Sequence, residues 1–367
     1  MAEAYGNLSY TAARGYCEAV FISYGFTREE SVLITDVLLR ADLYGIESHG
    51  IQRLIRYHKE ITGGLVDVSA KPAVVFETPI SVVLDARKAM GQLTAAEAME
   101  RAIQKAEQSG IGMAAVRNSN HYGIAGYYTR MAAEKDLMGL CMTNTEAICV
   151  PTFGKQAMLG TNPIAVAMPA EPYVFSFDAS TTVVPRGKLE VYKKGGMSMP
   201  DNWAVDQDGY TSRDAAEVLD NIIAKRGGGI APLGGLGELF GGHKGYGLAA
   251  IVDIFTGILS GGMTSNHVNI TPGSTDICHF FMAVDYGLFG GKAEIKERLS
   301  VFLRELRDSR KADGQQRIYT HGEKEAERMA ERSLSGFPVN PKTRDEMRDI
   351  ARARRIDINT YFGEGCL

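Results

Sequence analysis

Residues able to do chemistry concentrate in one stretch of this 367-residue chain, Ser48-His49-Gly50-Ile51-Gln52-Arg53-Leu54-Ile55-Arg56-Tyr57-His58. Read as a helix advancing about 100° per residue, it sets His49, Arg53 and Tyr57 on one face and Ile51, Leu54, Ile55 and Ile61 on the other. A histidine exchanges a proton with a carbonyl oxygen near neutral pH. An arginine fork grips a carboxylate through two parallel hydrogen bonds. A proton-transfer group and a carboxylate clamp are thereby stacked on one side, although an ordinary solvated stripe would show the same spacing. His58 falls on the apolar side and is expected in the core.

A second histidine stands in Asn118-Ser119-Asn120-His121-Tyr122-Gly123, after a strand expected to end near Arg117. Strand ends carry functional loops, and a lone loop histidine is as readily structural. Gly160-Thr161-Asn162-Pro163-Ile164 and Phe177-Asp178-Ala179-Ser180-Thr181-Thr182 read as polar turns beside strands.

Two glycine-rich segments raise the question of a nucleotide. Gly110-Ile111-Gly112-Met113-Ala114-Ala115 matches G-x-G-x-x-A, but a Rossmann site needs a strand before it and a helix after it. Here a helix precedes and a strand follows, so a Rossmann site is rejected. The run from Gly227 to Gly247 lacks Walker spacing, since Lys244 is followed by Gly245. It leads into a helix expected over Leu248 to Leu259, and small residues at a helix start beside a lysine can cradle a phosphate. A surface loop is the other reading.

The elements that must hold these residues follow from periodicity. Thr27 and Glu30 have capping-box spacing, with Val32, Leu33, Val37 and Leu38 at helical intervals behind them. A second helix is predicted from Ser48 to the paired Gly63-Gly64. From Ala73 to Phe76 and from Ser81 to Leu84 the pattern turns to short strands. A helix over Thr94 to Gln108 and strands at Gly110 to Val116, Leu137 to Met142, Ile164 to Met168 and Phe280 to Val284 follow. Helices return at Ala293 to Arg310, at Glu323 to Ser333 and behind Asn340-Pro341. The expected fold class is α+β: a non-Rossmann mixed-sheet cofactor-binding domain over 73–323, plus a helical domain formed from both termini, 1–72 and 324–367.

Composition narrows the function. With 40 basic against 44 acidic residues and a net charge of -4, no basic field is offered to nucleic acid. The N-terminus, with Glu3 and Arg14, shows no secretory pattern. The apolar stretch Gly247 to Gly262 is interrupted by Asp253 and reads as a buried helix, so no membrane is expected. Cys17, Cys141, Cys149, Cys278 and Cys366 are scattered, without a C-x-x-C pair, which predicts packing residues in a reducing, cytoplasmic compartment. No metal-ligand spacing is present, so no metal is expected.

Taken in order, Arg40-Ala41-Asp42, Ser48-His49-Gly50 with Arg53, Asn118 to Gly123, Gly160-Thr161-Asn162-Pro163, Asp178, Gly187-Lys188, Trp203-Ala204, Leu233-Gly234-Gly235 and His243-Lys244-Gly245-Tyr246-Gly247-Leu248 resemble the malate/L-lactate/L-sulfolactate dehydrogenase family. The resemblance covers about residues 10 to 335. It implies an NAD-dependent oxidoreductase, with NADP as the alternative, acting on a small 2-oxo or 2-hydroxy acid. Malate is the first choice; lactate, sulfolactate, ureidoglycolate, diketogulonate and cyclic imino acids are the others.

The resemblance further implies His49 as proton donor and His121 as second active-site histidine that also meets the cofactor, with Arg53, Tyr57 and Ser48 around the substrate carboxylate. Thr161, Asn162, Pro163, Asp178, Ser180, Thr182, Lys188, Leu233, Gly234, His243, Lys244, Gly322 and Glu323 are the implied cofactor contacts. A homodimer is implied as well. The chain departs from the family pattern at Pro151-Thr152-Phe153-Gly154, at Val184-Pro185-Arg186 before Gly187, and at His321.

Overall fold

The computed structural model describes residues 6–363; Glu3 and Cys366 lie outside that range. Strand β1 (Gly6–Leu8) opens the chain, followed by α1 (Tyr10–Tyr24) and α2 (Arg28–Leu43). The Thr27 capping box forms in full, with the Thr27 side chain accepting from Glu30 N and the Glu30 carboxylate from Thr27 N. Two short 3-10 turns, Glu47–His49 and Ile51–Arg53, lead into α3 (Leu54–Thr62).

The sheet region contains β2 (Ala73–Glu77), β3 (Ser81–Asp85), α4 (Gly91–Ser109), β4 (Ile111–Ser119), α5 (Ala125–Glu134), β5 (Met138–Thr143), β6 (Ile164–Met168) and β7 (Phe175–Ala179). Then come α6 (Arg186–Gly195), β8 (Ala204–Val205), α7 (Ala215–Ile223), β9 (Gly229–Ile230), α8 (Gly242–Asp253) and β10 (Ile277–Val284). The chain closes through α9 (Lys292–Asp308), α10 (Glu323–Ser335), β11 (Phe337–Val339), α11 (Pro341–Arg354) and α12 (Asn359–Phe362). Asn340 caps α11 by accepting from Thr343 N at 2.9 Å, with Pro341 behind it.

Seven strands form one mixed sheet in the order β2-β3-β4-β10-β5-β6-β7, parallel at β3-β4 and antiparallel at its other pairs. α4 ends at Gly110 and runs directly into β4, which leaves the G-x-G-x-x-A segment with a helix before it and a strand after it. The fold is α+β and not Rossmann. β1 pairs with β11, from Gly6↔Val339 to Leu8↔Phe337, and Tyr16, Phe21 and Leu38 share a core with Phe337, Met347 and Ile350. Both chain ends therefore share one core.

Four sequence expectations are corrected. The segment from Ser48 to Thr62 is not one helix: Gly50 is extended, at φ -85° and ψ -150°, because the buried Asp42 carboxylate takes the Ile51 N–H at 2.7 Å and interrupts the helical ladder. Phe177-Asp178-Ala179 is not a turn but part of edge strand β7, where aromatic residues alternate along a half-covered surface. The Gly247 to Gly262 stretch is not a buried helix; α8 passes into a π-helical turn at Ile254–Ile258 that leaves Ile254 and Ile258 half exposed or more. His58 is only partly buried, since its Nδ1 reaches outward to the Tyr24 hydroxyl at 2.5 Å. Cys17, Cys141, Cys149 and Cys278 are buried and free, and no helix of the described residues is long and apolar enough to cross a membrane.

Candidate active site

The turn carrying Ser48 and His49 is fixed from beneath. A Cβ at Gly50 would overlap the Asp42 carboxylate, so only glycine lets the chain close over that buried group. Arg332 of α10 is buried behind the turn and donates to the Asp42 carbonyl at 2.5 Å and to Glu47 at 2.6 Å. The C-terminal part of the chain thus holds the N-terminal turn in place.

His121 arrives from the opposite side, on the loop between β4 and α5. The loop is packed so tightly on α4 that a Cβ at Gly91 would overlap the carbonyls of Asn120 and His121. Asn120 is pinned by donating to Lys88 O and Ala89 O and by accepting from Thr275 Oγ1 at 2.7 Å. The preceding Ser119 is hydrogen bonded to the buried His279, whose other ring nitrogen meets Thr143 at 2.7 Å.

Although His49 does not share a helix with Arg53 and Tyr57, the structure brings the sequence-derived side chains together. The His49 and His121 rings stack with centroids 5.7 Å apart and planes 21° from parallel. His49 Nδ1 is bonded to Ser48 Oγ at 2.9 Å, and His121 Nδ1 to the Tyr57 hydroxyl at 2.8 Å. Both Nε2 atoms are left without a partner among the described residues. Arg53 spends its Nε on Ser48 O at 2.6 Å, which leaves both Nη groups of its fork uncommitted.

The cleft walls crowd the two imidazoles while solvent still reaches them. That loss of hydration, followed by the charges of Arg53 and Arg56, pushes His49 down to about 4. It pushes His121 still further below the ordinary histidine range, helped by Arg56, His49 and Arg53. Burial also lowers Arg53, followed by the charge of Arg56, with Glu190 and Arg186 of α6 acting in opposite directions. The site is a neutral histidine pair within a positive surround, suited to a small anion.

The segments expected to meet a cofactor also cluster. Asp178, at the end of β7, accepts from Gly126 N at 2.7 Å and so caps α5, the helix that follows His121. Solvent reaches it, yet crowding raises its carboxyl to about 6 against the pull of the Gly126 and Ala125 N–H groups. Ser180 and Thr182 follow, with their hydroxyls 3.2 Å apart. Thr181 N bonds Thr161 O at 2.9 Å, and Leu233 N bonds Thr181 O at 2.8 Å, which gathers 161–163, 180–182 and 233–234. The Asn162 side chain is fully buried and donates to Ala249 O and Asp253, so it supports α8 from below rather than facing the cleft. Pro163 continues from it into β6, its carbonyl accepting from Thr143 N at 3.4 Å.

His243 and Lys244 are exposed on the first turn of α8. Lys188, on the first turn of α6, is exposed and lies over the Tyr192 ring. Trp203 packs edge-on against the same Tyr192, and its carbonyl accepts from Ala231 N. The 321–323 turn lies along β7, with His321 O accepting from Ser176 N. There Gly322 takes φ +95°, and Glu323 turns inward to the Thr320 N–H and Arg317. Sequence reasoning passed over Gln92, although a glutamine on the apolar stripe of α4, with Ala95, Ala96 and Met99, is a visible signal. Arg332 and Glu47 gave none, since they meet only through the tertiary fold.

The model of the family described as malate/L-lactate dehydrogenase matches residues 8–348. The chain belongs to that family. The malate dehydrogenase of Pyrococcus abyssi is 45% identical over 334 residues, covering 91% of each chain. The L-sulfolactate dehydrogenase of Methanocaldococcus jannaschii is 34% identical over 346 residues, 94% of this chain and 96% of that one. The crystal structure of malate dehydrogenase from Entamoeba histolytica superposes with a TM-score of 0.92 at 34% identity, covering 96% and 99% of the two chains. As a member of the malate/L-lactate dehydrogenase family, the chain is an oxidoreductase acting on hydroxy acids, and the family implies a nicotinamide cofactor.

Proposed function

We propose that the chain interconverts a 2-oxo acid and its 2-hydroxy acid, with oxaloacetate and malate as the favoured pair and NAD as the favoured cofactor. The observation that carries this reading is the meeting of two imidazoles, each with a free Nε2, and an open guanidinium fork in one cleft. Arg53 holds the C1 carboxylate through its two Nη groups, with Tyr57 and Ser48 fixing the histidines on either side. His49 passes its proton to the C2 oxygen, and His121 contacts the same oxygen. Two imidazoles this close do not both carry charge, so one proton serves the pair. Burial, and after it the Arg53 charge, depresses His49; a bound carboxylate offsets the Arg53 part, so acid binding raises the proton affinity of the donor when it is needed. Fixed placement of both reactants supplies much of the rate.

The residues around α8 fit a dinucleotide. Gly234 sits at φ +97° with Gly241 against it, and a Cβ at Gly245 would overlap the Leu233 backbone. The start of α8 has no side-chain cap, and Lys244 is exposed beside it. Free N–H groups at a helix start with an adjacent lysine suit a pyrophosphate. Leu233, Gly234, His243 and Lys244 would hold that part, with Thr161, Ser180, Thr182 and Lys188 along the approach to His121. The hydride itself comes from the reduced nicotinamide when it is bound.

Malate is favoured because the relative of 45% identity carries that name, against 34% for the sulfolactate enzyme. A screen of 2-oxo acids against NADH and NADPH, followed by nicotinamide absorbance, should give the highest kcat/KM for oxaloacetate with NADH. Preference for sulfopyruvate or for NADPH would replace those two choices, and no turnover with any 2-oxo acid would overturn the reading. Buried free cysteines support a cytoplasmic location. The exposed apolar residues of α8 and its π turn support a homodimer.

A further inference from the structure

Gln92 has no task in the chemistry above. In the first turn of α4 it is fully buried, and neither its Nε2 nor its Oε1 makes a well-formed hydrogen bond. An unpaired buried amide is destabilising, and the other residues of its stripe, Ala95, Ala96 and Met99, are apolar. Packing alone would be served better by methionine.

Its surroundings point to a purpose. Gly91, the preceding residue, presses against the His121 carbonyl, and Met90 shares a core with Tyr57. The Gln92 amide lies against the Tyr57 hydroxyl, and that hydroxyl is 2.8 Å from His121 Nδ1. Gln92, Tyr57 and His121 therefore form a line from the core to the cleft. A phenol carries one hydrogen, and a neutral imidazole carries one on either nitrogen. Whichever way the Tyr57 hydrogen points decides which nitrogen of His121 is protonated.

We propose that Gln92 is a positioning residue for His121: its Nε2 donates to Tyr57 Oη, Tyr57 donates to His121 Nδ1, and His121 is held as the Nε2–H tautomer that offers a hydrogen bond to the substrate oxygen. The alternative tautomer would aim a lone pair at that oxygen and repel it. Burial and the surrounding positive charges keep His121 neutral, the form in which this choice matters. The effect on rate rests on the reading that His121 touches substrate; the tautomer itself does not.

Nitrogen-15 NMR of the full chain labelled at histidine tests the assignment, with His121 identified by the signals missing in His121→Gln. At neutral pH the wild type should show a bare Nδ1 and a protonated Nε2. In Gln92→Met the Nδ1–H form should become populated and kcat for reduction should fall about tenfold or more. KM should change little, and the thermal midpoint should shift little, because the donor bond lost to Tyr57 is offset by removal of the buried, unpaired Gln92 Oε1. Gln92→Leu removes the same donor and should give the same two changes, which serves if the methionine variant does not fold. Nδ1 protonation in the wild type, or unchanged His121 signals in a folded variant, overturns the proposal. A shifted tautomer with unchanged kcat keeps Gln92 in its role and removes His121 from the substrate, so the two readings fail separately.

Discussion

Gly50 separates the two halves of the proposed chemistry, His49 before it and Arg53 after it, and its missing Cβ is what allows them to converge. The space that a side chain would need is filled by the Asp42 carboxylate, itself 1% exposed and committed to the Ile51 N–H. Desolvation, with Glu47 nearby, raises that carboxyl well above its ordinary range, and the Ile51 N–H and the Arg332 bond to the Asp42 carbonyl hold the residue in place. Gly50→Ala should therefore displace the turn and not the carboxylate. The expected outcome is a stability loss of about 1–3 kcal/mol, the usual cost of overpacking, in urea unfolding, together with a fall in kcat/KM as His49 leaves its partner. Wild-type stability and kinetics in that variant would contradict this account of the turn.

Elements differ in how far local pattern decides them. α2 and α11 were readable because their caps are local: Thr27 with Glu30, and Asn340 with Pro341 and Thr343, lie within four residues. The break at Gly50 was not readable, because Asp42 reaches it through the fold and nothing in the spacing of His49, Arg53 and Tyr57 announces it. His49 and His121 meet all the same, since the 3-10 turn and the β4-α5 loop deliver them to one another from separate elements. β7 was missed for a related reason: Phe175 and Phe177 alternate with polar residues along an edge strand, and the Asp-Ala-Ser-Thr-Thr run after them looked like a turn. α8 and the π turn after it carry an apolar face that their own chain does not cover, with Ile251, Ile254, Ile258 and the following Leu259 between 41% and 60% exposed. Apolar surface of this kind marks an association face. The wild type should sediment at twice the 39.9 kDa chain mass, and Ile254→Asp combined with Ile258→Asp should give the monomer. A monomeric wild type, or a double variant that still pairs, removes this face from the assembly.

At the scale of the whole molecule the site depends on the meeting of the two chain ends. The β1-β11 pairing and the core shared by α1, α2 and α11 bring α10 behind the Ser48-His49 turn, where Arg332 ties it down. The seven-stranded sheet carries His121 at the end of β4 and Asp178 at the end of β7, joined through the start of α5. The proposed substrate clamp thus stands beside the core shared by both chain ends and the second histidine at the end of β4, with the proposed cofactor segments along the sheet. The most direct test is a crystal structure of the protein with NADH and oxamate, a 2-oxo acid mimic that does not accept hydride. We predict the oxamate carboxylate on the Arg53 fork, its carbonyl oxygen between His49 and His121, and the nicotinamide ring facing its C2 carbon. Oxamate bound away from Arg53, or a nicotinamide remote from both histidines, would contradict the account.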